Sequence, residues 1–322
     1  MIRTTFPAVP PTSFGPSHRL PNLLLIAAPR AGSTQLARWL SSHGDIQLSA
    51  VKEPNFFSAH EYDPARVASA HLNDVDPTRF AQGSQRRPAQ FAVFRRPADY
   101  AALFQPMTAP WRMEASTSYL ACPEAPALIR DTLPGARLIF LTRNPLTRAL
   151  SHYRLARRTG QTADSLGTVL QAELSGQTPL SERFLLRPSQ QDDALARYRA
   201  HFQAEQCLFL TFETLISAPE DTLARVARWL GVDPGGFDLS QRAQNAGVAP
   251  RFQRLNRALQ TSGLKTALRR RLPAPVKACL KPLWFDPSRQ IDISTADKLA
   301  LAEAMRASTS PSSVAPKMEP SP

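Results

Sequence analysis

Lysine is nearly missing from this chain. Only six of its 39 basic residues are lysine, and Lys52 is the only one in the first 264 positions. Arginine, a planar and permanently charged donor, therefore carries almost all the positive charge. Cysteine is scarce as well: Cys122, Cys207 and Cys279 are odd in number, far apart and without metal or redox spacing. That excludes a disulfide framework and predicts a reducing, cytoplasmic compartment. No long apolar run is present. The longest clean one, Leu23 to Ala28, falls far short of the roughly 20 residues that span a bilayer. Zinc-finger, RNP and helix-turn-helix signatures are missing, so no nucleic-acid partner is expected. His43, His60, His71 and His152 follow no metal spacing and read as structural or surface residues. Acidic residues number 26, leaving a net charge of +13 that favours an anionic ligand or surface.

What is present is a globular composition, 43% hydrophobic over 322 residues, enough for a sizeable core. Residues 1–20 are proline-rich and read as a flexible leader, 21–305 as one domain, and 306–322 as a low-complexity, disordered tail. Buried strands are predicted at Asn22–Ala28, Ala136–Thr142 and 207–212, with a short one at Ile46–Ser49. Helices are predicted at Ser33–Ser42, Pro123–Leu133, Pro145–Arg158, 192–203 and 219–231, the last capped by Gly231. Asp192 and Asp193 read as a helix start. Residues 59–110 read as irregular, with short helices and loops. Alternating buried strands and helices predict an α/β fold with a mostly parallel sheet flanked by helices.

The segment LLLIAAPRAGSTQLARWL is a strand, a tight turn and a helix start. Such a turn aims backbone N–H groups and the positive helix end at an anion. Gly32 permits close approach, Ser33 and Thr34 add hydroxyls, and Arg30 adds a cation. Against the ATP-binding pattern GxxxxGK[ST], Ala27 replaces the first glycine and Ser33 the lysine, and the cation has moved to Arg30. That mismatch argues against an ordinary kinase, although a related small-molecule kinase is kept as an alternative. A second strand-turn-helix, LIFLTRNPLTRALSHYRLARR, places Arg143 at a strand end and Ser151 two turns into a helix. The two could hold a second phosphate together, or be a surface arginine and a helix serine.

In this order, PRAGSTQL, KEPNFF, EASTSYL and RNPLTRALSHY resemble the sulfotransferases that use 3′-phosphoadenosine 5′-phosphosulfate (PAPS). The heparan-sulfate type and its bacterial relatives are the most similar, over roughly residues 20–232. The resemblance implies the P-loop-kinase-like sulfotransferase fold, PAPS as donor and no metal. It implies a 5′-phosphosulfate loop of Arg30, Ala31, Gly32, Ser33, Thr34 and Gln35, and a 3′-phosphate site of Arg143 and Ser151. It also implies that Glu53, in the loop VKEPNFF, is the base. The isolated Lys52 suits contact with the transferring sulfuryl oxygens, a role for a compact ammonium. With Arg30 these two make the catalytic set. Phe56 and Phe57 are expected in the core.

The chain departs from the resemblance at three places. Ala115 stands where heparan-sulfate enzymes have a lysine, LLRPSQQDD lacks a serine–tyrosine pair, so Ser189 has no assigned role, and the residues after ISTADKLALAEAMR run into serine and proline. The acceptor is expected to be a carbohydrate, a lipid or a small metabolite. A non-catalytic nucleotide-binding relative is the other alternative. Between Arg251 and Lys281 there are nine basic residues and no acidic one. With leucines recurring on one face, this basic helical segment suits peripheral contact with an anionic inner-membrane surface, or simply packs on the core.

Overall fold

The computed structural model describes residues 14–15, 18–69, 72–83, 87–240, 249–250, 285–286 and 291–308. Its centre is a five-stranded parallel sheet of β1 (Leu23–Ala27), β2 (Ile46–Leu48), β5 (Trp111–Glu114), β6 (Arg137–Thr142) and β7 (Cys207–Thr211). The order is β2-β5-β1-β6-β7, and every pairing is parallel. A run as apolar as LLLIA suits only a strand covered on both faces, and all five of its residues are buried. β1 registers with β6 from Leu23↔Arg137 to Ala27↔Leu141. The chain goes from β1 to β2 on one side of β1 and later crosses from β5 to β6 and β7 on the other, so the strand order reverses beside β1, the place at the carboxyl ends of the strands where open α/β sheets bind ligands.

A separate two-stranded sheet pairs β3 (Val51–Glu53) with β4 (Ala89–Phe91). Val51–Glu53 is therefore strand and not loop as the sequence suggested, and Lys52 is buried within it. β5 was also missed, because WRME has little apolar alternation and only its last two residues are buried. Between these strands, residues 59–110 form short helices at Pro64–Ser69, Pro77–Gln82 and Pro97–Ala102, close to expectation.

Phe56 and Phe57 pack in the main core, Phe56 stacked on Tyr100 with ring centroids 4.3 Å apart. Gly231 ends the helix Pro219–Leu230 in the left-handed conformation at φ 74°, where glycine carries no Cβ penalty. Asp192 and Asp193 occupy the first turn of the helix Gln191–Arg199. A second core joins the helix Pro145–Thr159 to the segment after Ile291. Leu301 and Met305 of the helix Thr295–Ser308 pack with Leu150, Tyr153 and Leu170. That helix runs three residues into the stretch read as a tail. The basic segment 251–281, residues 1–13 and residues 309–322 lie outside the described residues. Among the described residues, no helix is long and apolar enough to cross a membrane.

Candidate active site

The turn after β1 holds two left-handed residues, Arg30 at φ 72° and Gly32 at φ 93°. At Gly32 a side chain is excluded twice: by that φ, and by Phe212, whose Cδ2 would stand 3.0 Å from an added Cβ. Arg30 accepts the unfavourable conformation because its neighbours hold it. Its carbonyl accepts a bond from Arg143 Nη1 at 2.8 Å, and its own Nε donates to Ser151 Oγ at 3.3 Å. The helix Ser33–Ser41 then begins, with Ser33 buried. Ala31 N–H bonds Ala28 and Gln35 N–H bonds Gly32, so these two amides are engaged within the turn. Those of Ser33 and Thr34 are the ones a helix start leaves without an intrahelical partner.

Arg30, Arg143 and Ser151, spread over 121 positions of sequence, line one pocket of about 330 Å³ together with Thr147, Arg154 and Arg158. No carboxylate among the described residues lines it. Burial, then Arg158 and Arg143, pushes the Arg30 pKa down from its ordinary value. Burial does the same to Arg143, against the opposing pull of Glu213. Arg143 lies over the Phe212 ring, 4.1 Å from its centroid, and its Nε is buried with no hydrogen-bond partner among the described residues. Guanidiniums gathered on one pocket wall can bind an anion through charged hydrogen bonds.

Glu53 ends β3 beside this pocket, in an adjoining cleft of about 430 Å³ that Arg30, Ser33 and Thr34 also line. Its carboxylate accepts from Lys52 Nζ at 2.8 Å, Gln90 Nε2 at 3.0 Å and Thr117 Oγ1 at 2.9 Å. Lys52 Nζ also lies 3.4 Å from Ser33 Oγ, tying the carboxylate to the turn after β1. Asn55 fixes the chain just beyond. It is left-handed at φ 52°, wholly buried, and bonds the carbonyls of Glu53 and Ala92 at 2.7 and 3.1 Å. Asparagine tolerates that conformation better than most residues, which explains its place in KEPNFF.

Neither the burial of Arg148 nor the environment of His152 was legible in the sequence. Arg148 is fully buried, donating to Ser189 Oγ at 3.0 Å and to the carbonyls of Phe184 and Leu185 at 2.7 and 2.8 Å. Ser189 is thus part of the scaffold. Burial lowers the Arg148 pKa to about 9 despite the field of Glu173. Arg148 Nη1 also stands 3.3 Å from His152 Nδ1. A guanidinium can only donate, so Nδ1 accepts and the ring proton sits on Nε2. Burial, then Arg148 and Arg30, holds His152 well below the ordinary histidine range. It lines the cleft as a neutral ring.

The chain matches the family model described as Sulfotransferase family over residues 21–234. It is 23% identical over 239 residues to a bifunctional heparan sulfate N-deacetylase/N-sulfotransferase 1 of Caenorhabditis elegans, covering 71% of this chain and 24% of that protein. It is 28% identical over 219 residues to human heparan sulfate glucosamine 3-O-sulfotransferase 3B1, covering 67% and 47%. The chain thus spans under half the length of these two relatives. Among solved structures, a sulfotransferase from Alicyclobacillus acidocaldarius superposes with a TM-score of 0.58 at 21% identity, covering 77% of this chain and 96% of that one. This last likeness bears on the fold, which is the P-loop-like one expected.

Proposed function

The chain belongs to the sulfotransferase family, and from that membership we propose that it transfers a sulfuryl group from PAPS to a hydroxyl or amine. The observation that carries this reading is the pocket of Arg30, Arg143 and Ser151, lined by no carboxylate among the described residues, which adjoins the Lys52–Glu53 pair at the carboxyl ends of the strands. Arg30 and the first-turn groups of Gly32, Ser33 and Thr34 hold the 5′-phosphosulfate, and Arg143 with Ser151 holds the 3′-phosphate. The donor supplies an activated sulfur and a leaving group that departs as an anion.

Each remaining task falls to a side chain. Glu53 takes the proton of the acceptor as its oxygen or nitrogen attacks sulfur and the sulfur–oxygen bond to the phosphate breaks. Lys52, already between Glu53 and Ser33, offers an ammonium to the charge that builds on the sulfuryl and bridging oxygens. Its shift toward those oxygens would release one of the three bonds on Glu53 and free a lone pair for the acceptor proton. Thr117 and Gln90 keep the carboxylate aimed meanwhile. The acceptor is a carbohydrate, a lipid or a small metabolite entering by the cleft that Tyr62, Phe91 and Leu180 help to line.

A cytoplasmic enzyme held at the inner membrane surface by residues 251–281 fits the nine basic residues there. Thermal denaturation with 3′-phosphoadenosine 5′-phosphate (PAP), against ATP with Mg²⁺, tests the donor assignment. Stabilisation by PAP alone is expected, and stabilisation by ATP with Mg²⁺ alone would make the protein a kinase relative.

A further inference from the structure

We propose that His60, Cys122 and Glu124 bind a zinc ion at a structural site, with Glu61, which also lines the cleft of Glu53, closing the fourth position. His60 lies in the 3₁₀ helix Phe56–Glu61, while Cys122 and Glu124 lie 62 and 64 residues on, between the helices Ser118–Ala121 and Ala125–Thr132. That separation explains why histidine spacing alone gave no metal signal. The fold brings the atoms together. His60 Nε2 is 3.6 Å from Cys122 Sγ and 3.2 Å from Glu124 Oε2, and Cys122 Sγ is 3.5 Å from that same oxygen. Tetrahedral zinc with ordinary bond lengths sets its ligand atoms about 3.3 Å apart for N and O, and about 3.5 Å apart for pairs that include sulfur. The triangle already has those edges.

Hydrogen bonds alone account for the triangle poorly. One thiol proton and one imidazole proton can serve two of its three edges, and the third is left with none. A cation at the centre serves all three. A Glu61 oxygen lies within 4.8 Å of the other ligand atoms, and its carboxylate is ion-paired with Arg187, which also donates to the Ala121 carbonyl at 2.9 Å. Arg187 would therefore orient the fourth ligand from outside the first shell of atoms, as carboxylate ligands commonly require. The mix of imidazole, thiolate and carboxylate suits zinc better than magnesium or calcium. Burial holds the Cys122 thiol protonated in the free protein, so binding displaces that proton: Cys122–SH and Zn²⁺ give the zinc thiolate and H⁺. The site would tie the segment after Glu53 to the one carrying Thr117, whose hydroxyl holds the Glu53 carboxylate.

The test uses the untagged full chain, stripped by chelator and titrated with Zn²⁺ and then with Co²⁺ as a spectroscopic probe. One metal per chain, proton release, a raised melting temperature and a thiolate-to-cobalt charge-transfer band are expected. Cys122→Ser should remove that band, whereas a chain carrying both Cys207→Ser and Cys279→Ser should keep it. Glu124→Gln, an isosteric change at an exposed side chain, should weaken zinc by about tenfold or more. A native chain with no thiolate band, a band that survives Cys122→Ser, or zinc affinity unchanged in Glu124→Gln would overturn the proposal.

Discussion

Arg143 has three roles that experiment can separate, two of them contacts in the structure and one the proposed reading of the 3′-phosphate. Its Nη1 holds the Arg30 carbonyl at 2.8 Å, its guanidinium lies over Phe212, and its buried Nε, with no hydrogen-bond partner among the described residues, is spare for the phosphate. Arg143→Ala removes all three. The first two shape the turn after β1, so their loss should weaken every nucleotide that uses that turn. A hydrogen bond and a cation–π contact of this exposure contribute together about 1–2 kcal/mol, or roughly 5- to 30-fold. The third interaction concerns the 3′-phosphate alone, and a charged hydrogen bond adds about 1.5–3 kcal/mol, or roughly 10- to 150-fold. Isothermal titration of wild type and variant with PAP and with its analogue lacking the 3′-phosphate reads both terms. The analogue should lose only the smaller factor, and PAP should lose the product of the two. Ser151→Ala should show the same asymmetry more weakly. Equal losses for both nucleotides would show that Arg143 shapes the turn and does not read the phosphate.

Glu53→Gln should lower kcat by about 10²–10⁴ with PAP affinity nearly intact, and more than a third of wild-type kcat would remove Glu53 as base. Gly32→Ala meets both a φ of 93° and Phe212 at 3.0 Å, so a loss of about 1–2 kcal/mol and a melting temperature several degrees lower are expected by calorimetry. Burial raises the pKa of Glu114, the last residue of β5 and bonded by Tyr100 Oη at 2.8 Å, to about 8. Its folded form thus holds a proton that the unfolded chain has released. Wild-type stability should then fall, relative to Glu114→Gln, as pH rises from about 5 to 8, by up to about 1.4 kcal/mol per pH unit in urea titrations. Parallel pH profiles for the two proteins would show that Glu114 is ionised in the fold. Wild-type protein should bind anionic vesicles in a salt-sensitive way that weakens when Arg269, Arg270 and Arg271 become glutamine, and no binding at low ionic strength would end the membrane reading.

Much of this arrangement was legible before any coordinates, for definite reasons. LLLIA and RLIFLT are apolar enough to read as buried strands, and each is followed by a turn whose residues face one pocket. Gly32 and Arg30 could be singled out because glycine and a displaced cation mark an anion turn in the local sequence. What escaped notice depends on partners distant in sequence. WRME is a strand because β1 and β2 flank it, not because of its own pattern. Lys52 stood out as an isolated lysine among arginines, but its burial against Ser33 follows from the pairing of β3 with β4, which VKE alone does not announce. Arg148 reads as one more surface arginine of a basic helix. It is buried only because the carbonyls of Phe184 and Leu185, from a stretch with no clear periodicity, turn inward to meet it. Ser151 lines the same pocket as Arg143, but its hydrogen-bond partner is Arg30 and not Arg143, so the two expected anion sites share a wall.

The central claim is that the arginine pocket and Glu53 form one sulfuryl-transfer site. Incubating the protein with ³⁵S-labelled PAPS and a cell extract tests it most directly, with wild type, Glu53→Gln and Arg143→Ala run side by side. The account predicts a discrete labelled product with wild type, nearly none with Glu53→Gln, and recovery of the Arg143→Ala signal at high PAPS concentration. Label that never leaves PAPS with wild type, or that appears equally with Glu53→Gln, would contradict it.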